Sequence, residues 1–195
     1  MTRLTLGALA LVLPLAAVSA PETYKLDPHH TYPHFAVEHL GVSIYWGRFD
    51  RSSGQFTIDR AAHKGTVELT VETASVSTGD NQRDGRPRTL DEHLRSADFF
   101  NVAEFPQMTF KAQDVKFNGD APAEISGNLT LLGVTRPLTL KVERWVCKDH
   151  PFNKKPMCGG NASGALKRTD FGMKYGVPAV GDEVRLELQF EGYRQ

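Results

Sequence analysis

The sequence predicts an all-β fold: an eight-stranded antiparallel barrel in up-and-down order, with one helix between the third and fourth strands. Three observations carry this. Apolar and polar residues alternate over eight strand-length runs, as in Val184, Leu186, Leu188 and Phe190 against Arg185, Glu187, Gln189 and Glu191. Period two means one dry face and one wet face. Only one segment has a clear helical pattern, and short turn-rich links favour neighbouring antiparallel strands. A barrel of eight strands is filled by its own side chains or holds one small ligand.

Residues 1–20 read as a signal peptide and 21–195 as a single domain. Arg3 is the only charge in the leader, and Leu4–Ala17 is an apolar run too short to span a bilayer. Val18-Ser19-Ala20 offers small residues to a peptidase; because Pro21 would follow that cut, cleavage after Ala17 stays open. Without the leader the chain has 22 Lys+Arg against 23 Asp+Glu. That near-neutral balance argues against nucleic acid as a partner. No second apolar run reaches spanning length, so no integral span is expected after cleavage.

The strands are expected at 24–37, 47–59, 66–76, 106–117, 123–132, 135–146, 158–168 and 183–193. Arg60–Gly65 links the second and third, Asn118-Gly119-Asp120 the fourth and fifth, and Gly133 the fifth and sixth. Thr89 and Glu92 have capping-box spacing. Leu90, Leu94 and Ala97 then form one apolar stripe, which places a helix from there to near Asn101. The polar segment 79–88 before it reads as a solvated loop. A second short helix is expected at 38–44. The dry faces are Phe35 and Val37; Val67, Leu69 and Val71; Met108 and Phe110; Ile125, Leu129 and Leu131; Leu138, Leu140 and Val142. Gly127 and Gly164 fall on this side and are expected to leave space there.

Cys147 and Cys158 are the two cysteines, with Pro151, Asn153 and Pro156 between them. In an exported chain they read as a disulfide stapling two strand ends. The alternative of free or zinc-binding thiols is weak, because His150 is the only histidine between them and zinc wants two more ligands.

Several stretches together resemble the YceI-like family over about residues 24–191. They are Tyr24-Lys25-Leu26-Asp27-Pro28-His29-His30-Thr31, then Phe35, His39, Gly41, Ser43, Gly47 and Phe49, then Ala74-Ser75-Val76-Ser77-Thr78-Gly79. Leu94-Arg95-Ser96-Ala97-Asp98-Phe99-Phe100 follows, with Pro106 and Thr109-Phe110 behind it. Gly127-Asn128-Leu129-Thr130-Leu131-Leu132-Gly133-Val134-Thr135 and Arg168-Thr169-Asp170-Phe171-Gly172-Met173 complete the set. The resemblance implies a lipocalin-like barrel, residence in the periplasm, a long apolar ligand such as a polyisoprenoid, and no catalysis. It also allows a homodimer. The family's His-Ser is His30-Thr31 here.

On this reading Phe35, Phe49, Phe99, Phe100, Phe105 and Phe110 are expected to line a cavity together with Leu129, Leu131 and Leu140. His30 and His39 are expected near a ligand's polar head, and Arg48 and Arg168 are candidates for a phosphate at the rim. A metal role for the early histidines is disfavoured: His30 and His34 share a face, but His39 has the opposite parity and only Asp27 is a nearby carboxylate. No metal and no cofactor beyond a bound lipid is expected. No Gly-x-Ser-x-Gly elbow occurs, and an enzyme is not expected. Each buried methylene contributes ~0.8 kcal/mol, against an association cost of about 4 kcal/mol or more, so about 15 apolar carbons are needed for useful binding. The rival reading is a filled barrel, a stress or surface protein that works through protein contacts. Large side chains closing the interior would favour the rival; an open interior would favour the carrier.

Overall fold

The computed structural model describes residues 20–195. The expected signal peptide thus lies outside the described residues, except for Ala20. Among the described residues eleven strands form one antiparallel sheet: β1 (Glu22–Leu26), β2 (Tyr32–His39), β3 (Ser43–Phe49), β4 (Ser52–Asp59), β5 (Lys64–Glu72), β6 (Val76–Ser77), β7 (Gln107–Asn118), β8 (Ala121–Leu131), β9 (Val134–Asp149), β10 (Pro156–Lys167) and β11 (Val180–Arg194). Eight of these close a ring in the order β1, β4, β5, β7, β8, β9, β10, β11, with β11 paired back onto β1.

The eight expected walls are present, and the first three are broken. The run at 24–37 is two strands, both lying along β11: Leu26 opposes Gly192 and Tyr32 opposes Gln189. Pro28 lacks an amide donor, and Asp27 takes the His29 amide on its side chain (2.9 Å), so the ladder is interrupted there. Buried Thr31 re-anchors the chain. Its hydroxyl donates to the Glu191 carbonyl (3.2 Å) and its carbonyl accepts from Ser52 Oγ (2.7 Å). The next two walls break in turn, between β3 and β4 and, through a 3-10 turn at Thr73–Ser75, between β5 and β6. As β6 pairs only with β3, the sheet splits between β6 and β7 at this end. The amide and hydroxyl of Thr73 close the base of the split by donating to Pro106 and Phe105 carbonyls (3.0 and 2.7 Å).

Helix α1 (Leu90–Arg95) stands at the split. Its capping box forms as expected: Thr89 Oγ1 accepts from the Glu92 amide (3.0 Å) and Glu92 Oε2 accepts from the Thr89 amide (2.9 Å). It is shorter than its apolar stripe. Ser96 leaves helical geometry at ψ 173°, and its hydroxyl donates to the His93 carbonyl (2.7 Å). This local bond competes with the helical ladder. The preceding polar loop is tied down by Arg83 on Glu92 (2.7 Å) and Arg86 on Asp80 (2.6 Å).

The helix expected at 38–44 is instead the hairpin between β2 and β3. Leu40 and Gly41 both take positive φ (59° and 68°), the signature of a type I′ turn. Seven residues around a glycine were too few to separate a turn from one helical period.

Two bulges re-aim the inward face. β7 has one extra residue at Gln113, so Phe110 and Ala112 are followed inward by Val115. β9 has one at Glu143, so Trp145 rather than Arg144 follows Val142. Gly127 and Gly164 do not open the interior. A Cβ on Gly127 would meet the Lys111 carbonyl oxygen at 2.4 Å, and one on Gly164 would meet Leu140 Cδ2 at 2.9 Å. Both glycines serve close packing.

Cys147 and Cys158 are directly opposed on β9 and β10 and are disulfide-bonded, their Cα atoms 4.0 Å apart. The bond lies at the barrel end away from α1. The Arg60 guanidinium lies against it, 3.2 Å from Cys147 Sγ.

Candidate ligand cavity

Among the described residues, two apolar chambers lie in line in the interior. The larger, of about 140 Å³, lies toward α1; the smaller, of about 60 Å³, lies toward the disulfide. Both touch Pro33, Leu69, Phe110, Leu140 and Leu188, which form the waist between them. An eleven-residue wall strand such as β8, tilted as barrel strands are, gives a lumen of about 27 Å.

The walls differ in how they meet this space. Leu69, Phe110, Leu129 and Leu140 on β5, β7, β8 and β9 border it and are buried. Val184, Leu186, Leu188 and Phe190 on β11 also point inward and border the chambers, and they are half-buried.

Aromatic rings close the helix end. Phe35 packs on Phe49 and Phe100 (centroids 5.8 and 6.5 Å), and Phe49 meets Phe100 edge-on at 5.2 Å. Leu94 of α1 and Met173 complete this cap. Among the sequence-derived candidates, Phe35, Phe49, Phe99, Phe100, Phe110, Leu129, Leu131 and Leu140 line the larger chamber.

Phe105, His39 and His30 lie outside it. The Phe105 ring lies over Gly133, 3.0 Å from where a Cβ would stand, and its carbonyl serves Thr73. His39 ends β2 and packs on Tyr45 (5.8 Å). His30 is exposed and hydrogen-bonds Asp27 (2.8 Å). That bond raises the His30 pKa. At Asp27 burial pulls the carboxyl upward, but the His30 hydrogen bond and the His29 amide outweigh it and hold it below its ordinary value.

Arg168 borders the cavity but is not free for a phosphate. It is buried and donates to four backbone carbonyls, those of Gly181, Val180, Tyr175 and Met173 (2.8, 2.9, 2.8 and 3.2 Å). Burial lowers its pKa, opposed by Asp182. Arg48 pairs with Asp50 (2.7 Å). Leu94, Leu166, Met173 and Val180 were not among the sequence candidates. They reach the chamber from α1, the end of β10, the segment after it and the first residue of β11, where no alternation marks the inward side. Among the described residues no group of three or more His, Cys, Asp or Glu side chains could hold a metal ion, and no helix is long and apolar enough to cross a membrane.

The model of the YceI-like domain matches residues 24–192. The chain belongs to the YceI-like family. Its YceI-like relatives include a UPF0312 protein of Pseudomonas aeruginosa, 41% identical over 202 residues and covering 100% of both chains. Protein YceI of Escherichia coli is 40% identical over 177 residues, covering 88% of this chain and 87% of that one. Among solved structures, the Campylobacter jejuni YceI protein aligns with a TM-score of 0.64 at 25% identity, over 81% of this chain and 90% of that one. A polyisoprenoid binding domain from Saccharophagus degradans aligns with a TM-score of 0.62 at 19% identity, over 88% and 98%, a likeness of fold. The YceI-like barrel is thus shared across chains that differ at three positions in four.

Proposed function

We propose that this protein is a non-catalytic carrier for a long-chain apolar molecule, a polyisoprenoid, an isoprenoid quinone or a similar lipid. The observation that carries the reading is the lumen: two chambers in line, lined by aliphatic and aromatic side chains, with the inward residues of β11 left half-buried. Such a space rewards apolar length rather than charge. The polyisoprenoid-binding neighbour supports the same ligand class. The leader and the disulfide favour work in the periplasm. The ligand contacts in this reading are Phe35, Phe49, Phe99, Phe100 and Phe110, with Leu129, Leu131 and Leu140.

Native mass spectrometry of protein purified from its own periplasm, followed by solvent extraction, tests this. The expected result is one apolar molecule per chain. Repeated recovery of empty protein that takes up no added prenyl lipid would leave the barrel a scaffold for protein contacts.

A further inference from the structure

Trp145 brings an unpaired hydrogen-bond donor to the smaller chamber. The extra residue at Glu143 on β9 carries Trp145 rather than Arg144 to the lumen side, where it lines that chamber. Bulges re-aim side chains in this way beside functional sites. Two rings hold the indole, Phe56 edge-on at 5.5 Å and Phe190 tilted at 6.1 Å. Trp145 Nε1 is buried and has no hydrogen-bond partner among the described residues. No other buried side-chain nitrogen or oxygen among them is left in that state.

An indole N–H donates and accepts nothing. When buried it ordinarily finds an oxygen, because an unmet donor away from solvent is costly. The faces of Phe56 and Phe190 are only weak acceptors. The hydroxyls that border the chamber are already engaged: Thr31 donates to the Glu191 carbonyl (3.2 Å), and Thr66 shares a hydrogen bond with Thr57 (2.6 Å). Apart from exposed Gln189, the rest of the lining is apolar. The smaller chamber thus offers one unmet donor among apolar walls, in a volume of about 60 Å³ that suits the end of a chain.

We propose that the smaller chamber seats an oxygen-bearing chain end, a ketone, ester or ether, whose oxygen accepts a hydrogen bond from Trp145 Nε1. The apolar remainder of the ligand crosses the waist at Phe110 and Leu140 into the larger chamber. An acceptor-only group matches what the chamber lacks. An amide would bring donors that no unmet acceptor awaits, and a charged head would be desolvated among apolar walls without a counter-ion. This names the ligand class of the carrier reading and rests on that reading. Trp145 is the polar contact that fixes orientation in a lumen whose other walls reward apolar length alone.

The test compares a prenyl methyl ketone with the prenyl hydrocarbon of equal chain length, each titrated into the purified protein. The wild type is expected to bind the ketone about five- to tenfold tighter. Trp145→Phe should keep the hydrocarbon affinity within about twofold and lose the preference. Because that change also removes ring volume, a second variant replaces the indole at position 145 by benzothiophene, which keeps the bicyclic shape without the N–H, in a Trp46→Phe background. It too should bind both probes equally. In proton NMR the Trp145 indole N–H should move downfield with the ketone and stay in place with the hydrocarbon. Equal affinity of the wild type for the two probes, or a preference that survives both variants, overturns the proposal and leaves the carrier reading standing. Uptake of neither probe overturns the carrier reading itself.

Discussion

The Phe35 ring occupies the place of a side chain on Gly47. The two residues are paired across β2 and β3, and a Cβ on Gly47 would lie 2.3 Å from Phe35 Cζ. Phe35 is thereby held against Phe49 and Phe100 at the helix end of the cavity. Gly47→Ala is expected to force the ring aside, destabilising the fold by about 1–3 kcal/mol and lowering chain uptake. Urea unfolding measures the first effect and titration with a prenyl probe the second. Adding Phe35→Leu should recover part of the stability.

Phe110 stands at the waist and borders both chambers. Phe110→Glu would put a carboxylate where the lining is apolar, and uptake of a radiolabelled prenyl alcohol should be lost while part of the fold remains. Undiminished uptake would show that the chain lies elsewhere. Phe110→Ala removes the ring without adding charge and should cost about 3–5 kcal/mol in stability.

The disulfide closes a loop of ten residues between β9 and β10. Replacing both cysteines by serine should lower stability by about 2–3 kcal/mol, as constraint on the unfolded chain is lost. The denaturation midpoint of the wild type with reductant should fall toward that of the variant.

Arg168 fastens the segment after β10 to the start of β11 through four carbonyls. Arg168→Met would leave those buried acceptors without a donor, at a cost of about 1–3 kcal/mol for each one that water cannot reach. Arg168→Lys should rescue poorly, because an ammonium cannot match the planar fork. Limited proteolysis within 172–179 should be faster in both.

Acid should loosen the helix end. Glu92 is lowered from 4.5 to about 2, first by the Arg83 hydrogen bond and then by the Thr89 amide. A depressed carboxylate contributes stability that is complete above pH 4.5 and lost as pH falls toward 2. Glu92→Gln should flatten the stability profile in that window. At the β1–β2 junction, lowered Asp27 contributes above its ordinary 3.8 and raised His30 below its ordinary 6.5, so their pair holds best between those values. It weakens as pH falls through the Asp27 value or rises through the His30 value. In Asp27→Asn, the His30 titration followed by NMR should move down.

The barrel was legible because its signals are local. Alternation on β8 and β9 identified Leu129, Leu131, Leu138 and Leu140 as inward, and the capping box located α1. What escaped depended on neighbours. The break between β1 and β2 follows from the way Asp27 and Thr31 bond to other strands. The inward turn of Trp145 follows from a bulge that appears only when β9 is laid against β10. Gly127 looked like open space in one strand, but its neighbour Ala112 fills the place a side chain would take.

The sequence by itself determined the number of walls, their order, the cystine between two strand ends and the apolar character of the interior. Period-two patterning and turn residues act within a few residues of chain. The tertiary structure alone decided where the ring splits for α1, how the inward residues divide between the two chambers, and that Arg168 is spent on carbonyls rather than free at a rim. Those outcomes depend on the spacing between elements distant in sequence, and no periodicity encodes that spacing.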